Sequence, residues 1–124
     1  MDTRPTNSEL EILGVLWRRG PCSVRDVHED LEKKRRTGYT TVLKLMQIMA
    51  EKGLVSRDEE NRAHIYSARI TEAEAQSGLM NDLVDKAFGG SAHKLALHAI
   101  SSKIATQEEL DEIRILLDQM GGEK

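Results

Sequence analysis

Five side chains within an eight-residue stretch have the types and spacing to act together on one partner. Thr40, Leu43, Lys44 and Gln47 fall on one side of a helix wound at 3.6 residues per turn, and Thr41 lies at its flank near the start. The set suits the edges of nucleic-acid bases. Threonine hydroxyls bond phosphate or base edges, a glutamine amide matches adenine, lysine reaches guanine or phosphate, and leucine lies against a thymine methyl. Unpaired N–H groups in the first turn of such a helix attract phosphate. The same residues would equally serve as the solvated face of an ordinary amphipathic helix. Their place after a helix and a three-residue turn, Thr37-Gly38-Tyr39, favours the first reading, because recognition helices occur there.

Other residues group around this helix. Tyr39 has two readings, a hydroxyl donated to phosphate or a lid on the core. The run Lys33 to Arg36 reads either as a solvated helix end or as a phosphate clamp. A following hairpin offers Arg57, Arg62 and His64, with Arg62 nearest the tip. Asp58, Glu59 and Glu60 would repel phosphate, so the whole tip is not expected to lie on a backbone. Enzyme chemistry finds no support. His28, His64, His93 and His98 are scattered, and no HExxH, GxSxG or P-loop pattern occurs. Neither a catalytic site, nor a metal, nor a cofactor is expected. Cys22 with His28 offers a competing metal- or redox-sensor reading, but a lone cysteine here reads better as a small buried hydrophobe.

The elements that must position these residues follow from hydrophobic periodicity and punctuation. Thr6 and Glu9 have capping-box spacing and open a helix to about Arg19, with Leu10, Leu13, Val15, Leu16 and Trp17 on its apolar face. Gly20-Pro21 ends it, and Cys22-Ser23 adds one short strand. Ser23 caps a second helix carrying Val24, Val27 and Leu31, which ends in Lys33 to Arg36 where cations suit the negative end of the helix dipole. The third helix, about Thr40 to Lys52, buries Val42, Leu45, Met46 and Met49 and stops at Gly53. Leu54 to Arg57 and Ala63 to Ser67 read as a hairpin. Helix, strand, helix, turn, helix, hairpin is the order of a winged helix-turn-helix.

A helical tail follows. Thr71 to Glu74 opens a helix to about Phe88, Gly89-Gly90 stops it, Ser91 caps a fifth, and Thr106 to Glu109 opens a sixth. Three short helices cannot easily bury a core alone. Leu79, Leu83, Leu95, Ile100, Leu110, Ile113, Leu116 and Leu117 are therefore expected to pair two copies of the chain through a two-fold interface. The expected fold is mainly α: a winged helix over residues 1–70 and a three-helix dimerisation segment over 71–124.

Charge agrees with this division. The total is −3, but residues 1–70 carry 13 basic and 11 acidic side chains, and residues 71–124 carry 5 and 10. Nucleic-acid binding depends on local potential rather than the total. A winged helix used as a protein-interaction module, without direct DNA binding, is the alternative that the acidic total and acidic hairpin turn favour. No apolar run approaches the ~20 residues of a membrane span, so no membrane insertion is expected. A polar N-terminus without secretory character and a single cysteine lead to the expectation of a cytoplasmic protein.

The stretches PTNSELEILGVLWRRGPCSVRDVHEDL and GYTTVLKLMQIMAEKGLVSRDEENRAHIYSA, followed by a tail with FGGS between helices, resemble the penicillinase-repressor family, which includes the β-lactamase, methicillin-resistance and copper-transport repressors. The resemblance implies a homodimer that binds a palindromic operator in double-stranded DNA and represses transcription. It implies base-region contacts from Thr40, Thr41 and Lys44, wing support from Arg62, and pairing through residues 71–120. In the antibiotic-resistance members a membrane sensor-protease acts upstream and the repressor is cleaved at an Asn-Phe junction. This chain reads Leu97-His98-Ala99-Ile100 at the matching place, so that junction is missing. The copper-responsive members carry paired tail cysteines, and this tail has none.

Overall fold

The computed structural model describes residues 4–60 and 64–122. Its elements run α1 (Asn7–Arg19), α2 (Val24–Glu32), α3 (Tyr39–Lys52), β1 (Val55–Asp58), β2 (Ile65–Ala68), α4 (Glu72–Ala87), α5 (Ala92–Ser101) and α6 (Gln107–Gly121). Most helix starts have a local chemical cause. Thr6 accepts from the Glu9 backbone while Glu9 accepts from Thr6, and the same reciprocal bonds join Ser23 with Asp26, Thr71 with Glu74, and Thr106 with Glu109. Gly53 ends α3 in the left-handed region, φ 83°, which a residue without a Cβ adopts at little cost.

β1 and β2 pair antiparallel, with Arg57 opposite Tyr66 and Asp58 opposite Ile65. Where the sequence predicts a short strand at Cys22-Ser23, Cys22 forms a single bridge to β2 and Ser23 caps α2. Cys22 exchanges both backbone bonds with Tyr66, at 3.1 and 2.9 Å. The hairpin is thereby tied to the α1–α2 connection.

The core of this part comes from Ile12, Leu13, Val15 and Leu16 of α1, Val24, Val27 and Leu31 of α2, Val42, Met46 and Met49 of α3, and Leu54, Val55 and Tyr66 of the hairpin. Val42, Met46 and Met49 have no exposed surface, so α3 is anchored along one full stripe. Leu45 is half-buried against the same core, as are Leu43 and Trp17. Ile12, absent from the apolar face read in the sequence, is fully buried, while Leu10 sits at the margin. The indole N–H of Trp17 donates to the Ile70 carbonyl at 2.9 Å, fixing the chain where it leaves the hairpin.

One buried charge spans the unit. Glu9 is 2% exposed, and its Oε1 lies 2.7 Å from Lys52 Nζ at the far end of α3. Burial pushes the Glu9 carboxyl up, but the Lys52 ammonium and the Thr6 bonds outweigh it and hold the group below the ordinary carboxylate range.

Two further features differ from the sequence expectation. α2 stops at Glu32, so Lys33 to Arg36 form the turn after the helix rather than its last turn. Arg35 is drawn to Glu11 of α1 at 2.6 Å, and Lys33 folds back to Asp30 at 3.6 Å, and both contacts favour a turn. Tyr39 begins α3 instead of ending the preceding turn, with Gly38 as the N-cap.

The chain divides into two compact units, Met1–Leu79 and Met80–Lys124. The break falls within α4, because Ala75 is buried and Gly78 and Leu79 line a small cavity with Pro5 and Ile70 of the first unit. The second unit buries very little. α5 and α6 contain no buried residue, and Val84 is the buried apolar side chain of this unit among the described residues.

Candidate nucleic-acid interface

The buried stripe of α3 decides which side chains face out. With Val42, Met46 and Met49 turned inward, Thr40, Thr41, Lys44 and Gln47 are exposed, together with Ile48 and Glu51. Helices α1, α2, α5 and α6 carry a Thr or Ser cap, but α3 begins at Gly38 with no side-chain cap bond. Its first-turn N–H groups are thus left to solvent or to a phosphate oxygen.

Beside this face runs a groove of about 390 Å³. Tyr39, Leu43 and Gln47 form its α3 wall, Ser23, Val24 and Arg25 of the α2 start form a second, and Arg57, His64 and Tyr66 of the hairpin form the third. Three elements distant in sequence converge on it: the start of α2, the outward flank of α3 and the hairpin. Arg57 pairs its guanidinium with the Glu59 carboxylate and stands opposite Tyr66 across the hairpin. Arg25 is 83% exposed and is 3.8 Å from Glu29 one helical turn on, a contact of little strength.

Of the residues singled out in the sequence, Tyr39, Leu43, Gln47, Arg57 and His64 are brought to the groove, whereas Thr40, Thr41 and Lys44 sit on the exposed side of α3. Arg62 lies outside the described residues. Leu43 is half-buried rather than exposed, since it packs against the core while it lines the groove. Tyr39 opens α3. About half of it is exposed, and its ring meets His28 edge-on with centroids 5.7 Å apart. His28 Nε2 in turn lies 2.7 Å from the Thr37 carbonyl and 3.1 Å from Glu32 Oε1, so α2 braces the turn that launches α3. The positive φ of His64, 45°, is tolerated by histidine better than by β-branched residues, and it sets the ring at the start of β2.

Ser23, Val24, Arg25 and Tyr66 are the groove residues that sequence reading did not assign to the site. The Ser23 cap was legible, but nothing local says that the α2 start faces the same groove as α3. Cys22 is buried, and burial pushes its thiol up, with Asp26 and Asp30 adding to the effect against Arg19. A thiol so held is a poor nucleophile and a poor metal ligand. Among the described residues no cluster of three His, Cys, Asp or Glu side chains is placed to hold a metal ion, and no helix is long and apolar enough to cross a membrane.

The eight side chains expected to pair two copies are all at least partly open. Leu79, Leu83, Ile100, Leu116 and Leu117 are exposed, and Leu95, Leu110 and Ile113 are half-buried. Met80, Leu97, Ile104, Ile115 and Met120 are further exposed apolar residues of the same helices and connections, with Ile104 77% open.

Comparison with known proteins agrees with this geometry. The penicillinase repressor family pattern matches residues 5–119. The transcriptional regulator BlaI of Mycobacterium tuberculosis is 33% identical over 119 residues, 95% of this chain and 86% of that protein. The methicillin resistance regulatory protein MecI of Mammaliicoccus sciuri is 20% identical over 92% of this chain and 93% of its own, and the penicillinase repressor of Bacillus licheniformis is 19% identical over 92% and 89%. The solution structure of the DNA binding domain of the repressor BlaI superposes with a TM-score of 0.52 at 22% identity, covering 58% of this chain and 88% of that one. At that identity the match speaks for the winged-helix fold.

Proposed function

The chain belongs to the penicillinase repressor family, and from that premise we propose that it is a homodimeric transcriptional repressor whose two α3 helices enter the major groove at the half-sites of a palindromic operator. One observation carries the reading. The polar side of α3, Thr40, Thr41, Lys44 and Gln47, stands open while Val42, Met46 and Met49 lock its opposite side into the core. A recognition helix requires that combination, because base contacts specify only when the helix cannot roll. The uncapped start of α3 adds phosphate donors.

The division of labour follows. Residues 1–70 bind DNA, with Tyr39, Leu43, His64 and Arg62 supporting α3, and residues 71–124 pair the copies. The apolar, unburied faces of α5 and α6 support the second role, since an isolated chain would leave them in water. Two-fold pairing gives half-sites one or two turns apart, ~10 base pairs per turn. The proposed repressor acts in the cytoplasm, and a membrane sensor-protease is the upstream partner that the family resemblance implies, with release by a route other than cleavage at an Asn-Phe junction.

The acidic hairpin turn, Asp58, Glu59 and Glu60, all exposed, favours a second reading: a protein-interaction module. Lys44→Ala separates the two. Under the DNA-binding reading it weakens duplex binding at matched salt and lowers the log–log salt slope by roughly 0.9 per lost phosphate contact, with folding intact. An unchanged affinity would remove Lys44 from the interface, and no binding to any duplex at low salt would favour the interaction module.

A further inference from the structure

Arg57 is held from two sides. Its guanidinium donates to the carboxylate of Glu59, two residues along, and its backbone faces Tyr66 across the hairpin. Tyr66 is 1% exposed and is pinned by both backbone bonds to Cys22, so its side of the arginine's position is set by the core. Glu59 is 62% exposed, and Arg57 is its ion-pair partner among the described residues. The neighbouring acids are not equivalent. Asp58 turns its carboxylate to the Glu60 backbone N–H at 2.9 Å, which leaves Glu59 as the acid on the guanidinium.

Arg57 also sits beside the outward side of α3. It lines the groove beside Leu43 and Gln47, and it lines the adjoining surface formed by Gln47, Ala50, Glu51 and Glu59. A guanidinium that accommodates a carboxylate accommodates a phosphate with the same planar fork.

We propose that Arg57 is a phosphate-binding residue of this interface and that Glu59 is its built-in competitor, a carboxylate occupying the fork in the free protein until DNA phosphate displaces it. This inference rests on the DNA-binding reading above and deepens it. An exposed ion pair is weak enough to be broken on binding. Phosphate contacts position a protein without reading sequence. The Glu59 carboxylate therefore lowers affinity for every duplex while leaving base choice to α3. It acts as a damper on non-specific binding, built into a domain whose basic excess is small.

The test uses the full chain, a labelled random-sequence duplex of about 30 base pairs, three helical turns, and a salt series. Glu59→Gln is expected to bind two- to fivefold tighter per protomer at low salt, the range of an exposed ion pair. Arg57→Ala is expected to bind more weakly, with the salt slope reduced by roughly 0.9 per lost phosphate contact. Arg57→Lys, which keeps the charge, retains the slope. The gain from Glu59→Gln should vanish when Arg57 is alanine. A gain cannot come from misfolding, and an unchanged unfolding midpoint confirms that each variant is folded. If Glu59→Gln leaves affinity unaltered, or improves it equally with and without Arg57, the competitor role is overturned while the DNA-binding reading stands. If the parent chain binds no duplex, both fall together.

Discussion

Replacing Lys52 with methionine would break the buried tie between the start of α1 and the end of α3. Lys52 Nζ lies 2.7 Å from Glu9 Oε1 and 3.2 Å from the Arg4 carbonyl, with side-chain exposures of 16% for Lys52 and 3% for Glu9. Methionine keeps the apolar stem and removes the charge. Glu9 is then left with the Thr6 backbone N–H at 2.9 Å as its main partner. Removing one member of a buried pair costs about 3–5 kcal/mol. The surviving Thr6 bond and the partial access of Lys52 to water set the expected loss at the lower end, about 3 kcal/mol. The pH dependence supplies an internal check. In the parent chain the Glu9 carboxyl is held below its ordinary range, so the pairing stabilises above the unfolded-state pKa and fades as pH falls through the folded one. Without Lys52, burial is poorly opposed and the carboxyl rises. Acid then relieves the variant's penalty, and the gap between the two proteins narrows on going from about pH 7 to about pH 4. Urea unfolding followed by fluorescence reads this directly, since Trp17 is the single tryptophan and lies in α1. A loss below about 1 kcal/mol, the worth of a surface pair, or a gap independent of pH, would refute the reasoning.

Two further outcomes are expected. Leu116→Asp on α6 places a charge on the face proposed for pairing, so the variant should sediment as a monomer at micromolar concentration while the parent chain should sediment as a dimer; a variant that stays dimeric would move the interface elsewhere. Trp17→Phe removes the indole N–H that the Ile70 carbonyl accepts, which should cost about 1 kcal/mol by urea unfolding monitored by circular dichroism, and no change would mean that water replaces the bond fully.

Much of the fold was legible because its signals are local. Thr6 with Glu9, Thr71 with Glu74 and Thr106 with Glu109 mark helix starts three residues apart, and all three form the reciprocal bonds. The stripe of Val42, Met46 and Met49 needs only helical geometry to be read. What escaped notice depends on residues far apart in the chain. Glu9 meets Lys52 across 43 positions, a pairing no periodicity announces. α2 ends before its basic run because Arg35 finds Glu11 on another helix. Leu43 is half-buried because it packs against the core, and Arg25 joins the groove because the start of α2 comes beside α3. At the site, residue types on α3 were readable, but the wall that α2 contributes was not. The break inside α4 was hidden as well, because the helix is continuous while Ala75 packs with the first unit.

The account turns on whether the outward side of α3 chooses the DNA sequence. Selection of bound duplexes from a random pool, run in parallel with the parent chain and with Gln47→Ala, tests this most directly. The parent chain should enrich an inverted repeat with half-sites one or two turns apart, and Gln47→Ala should relax the preference at one symmetry-related pair of positions. A pool with no enriched motif, or a motif that Gln47→Ala leaves unaltered at every position, would contradict it.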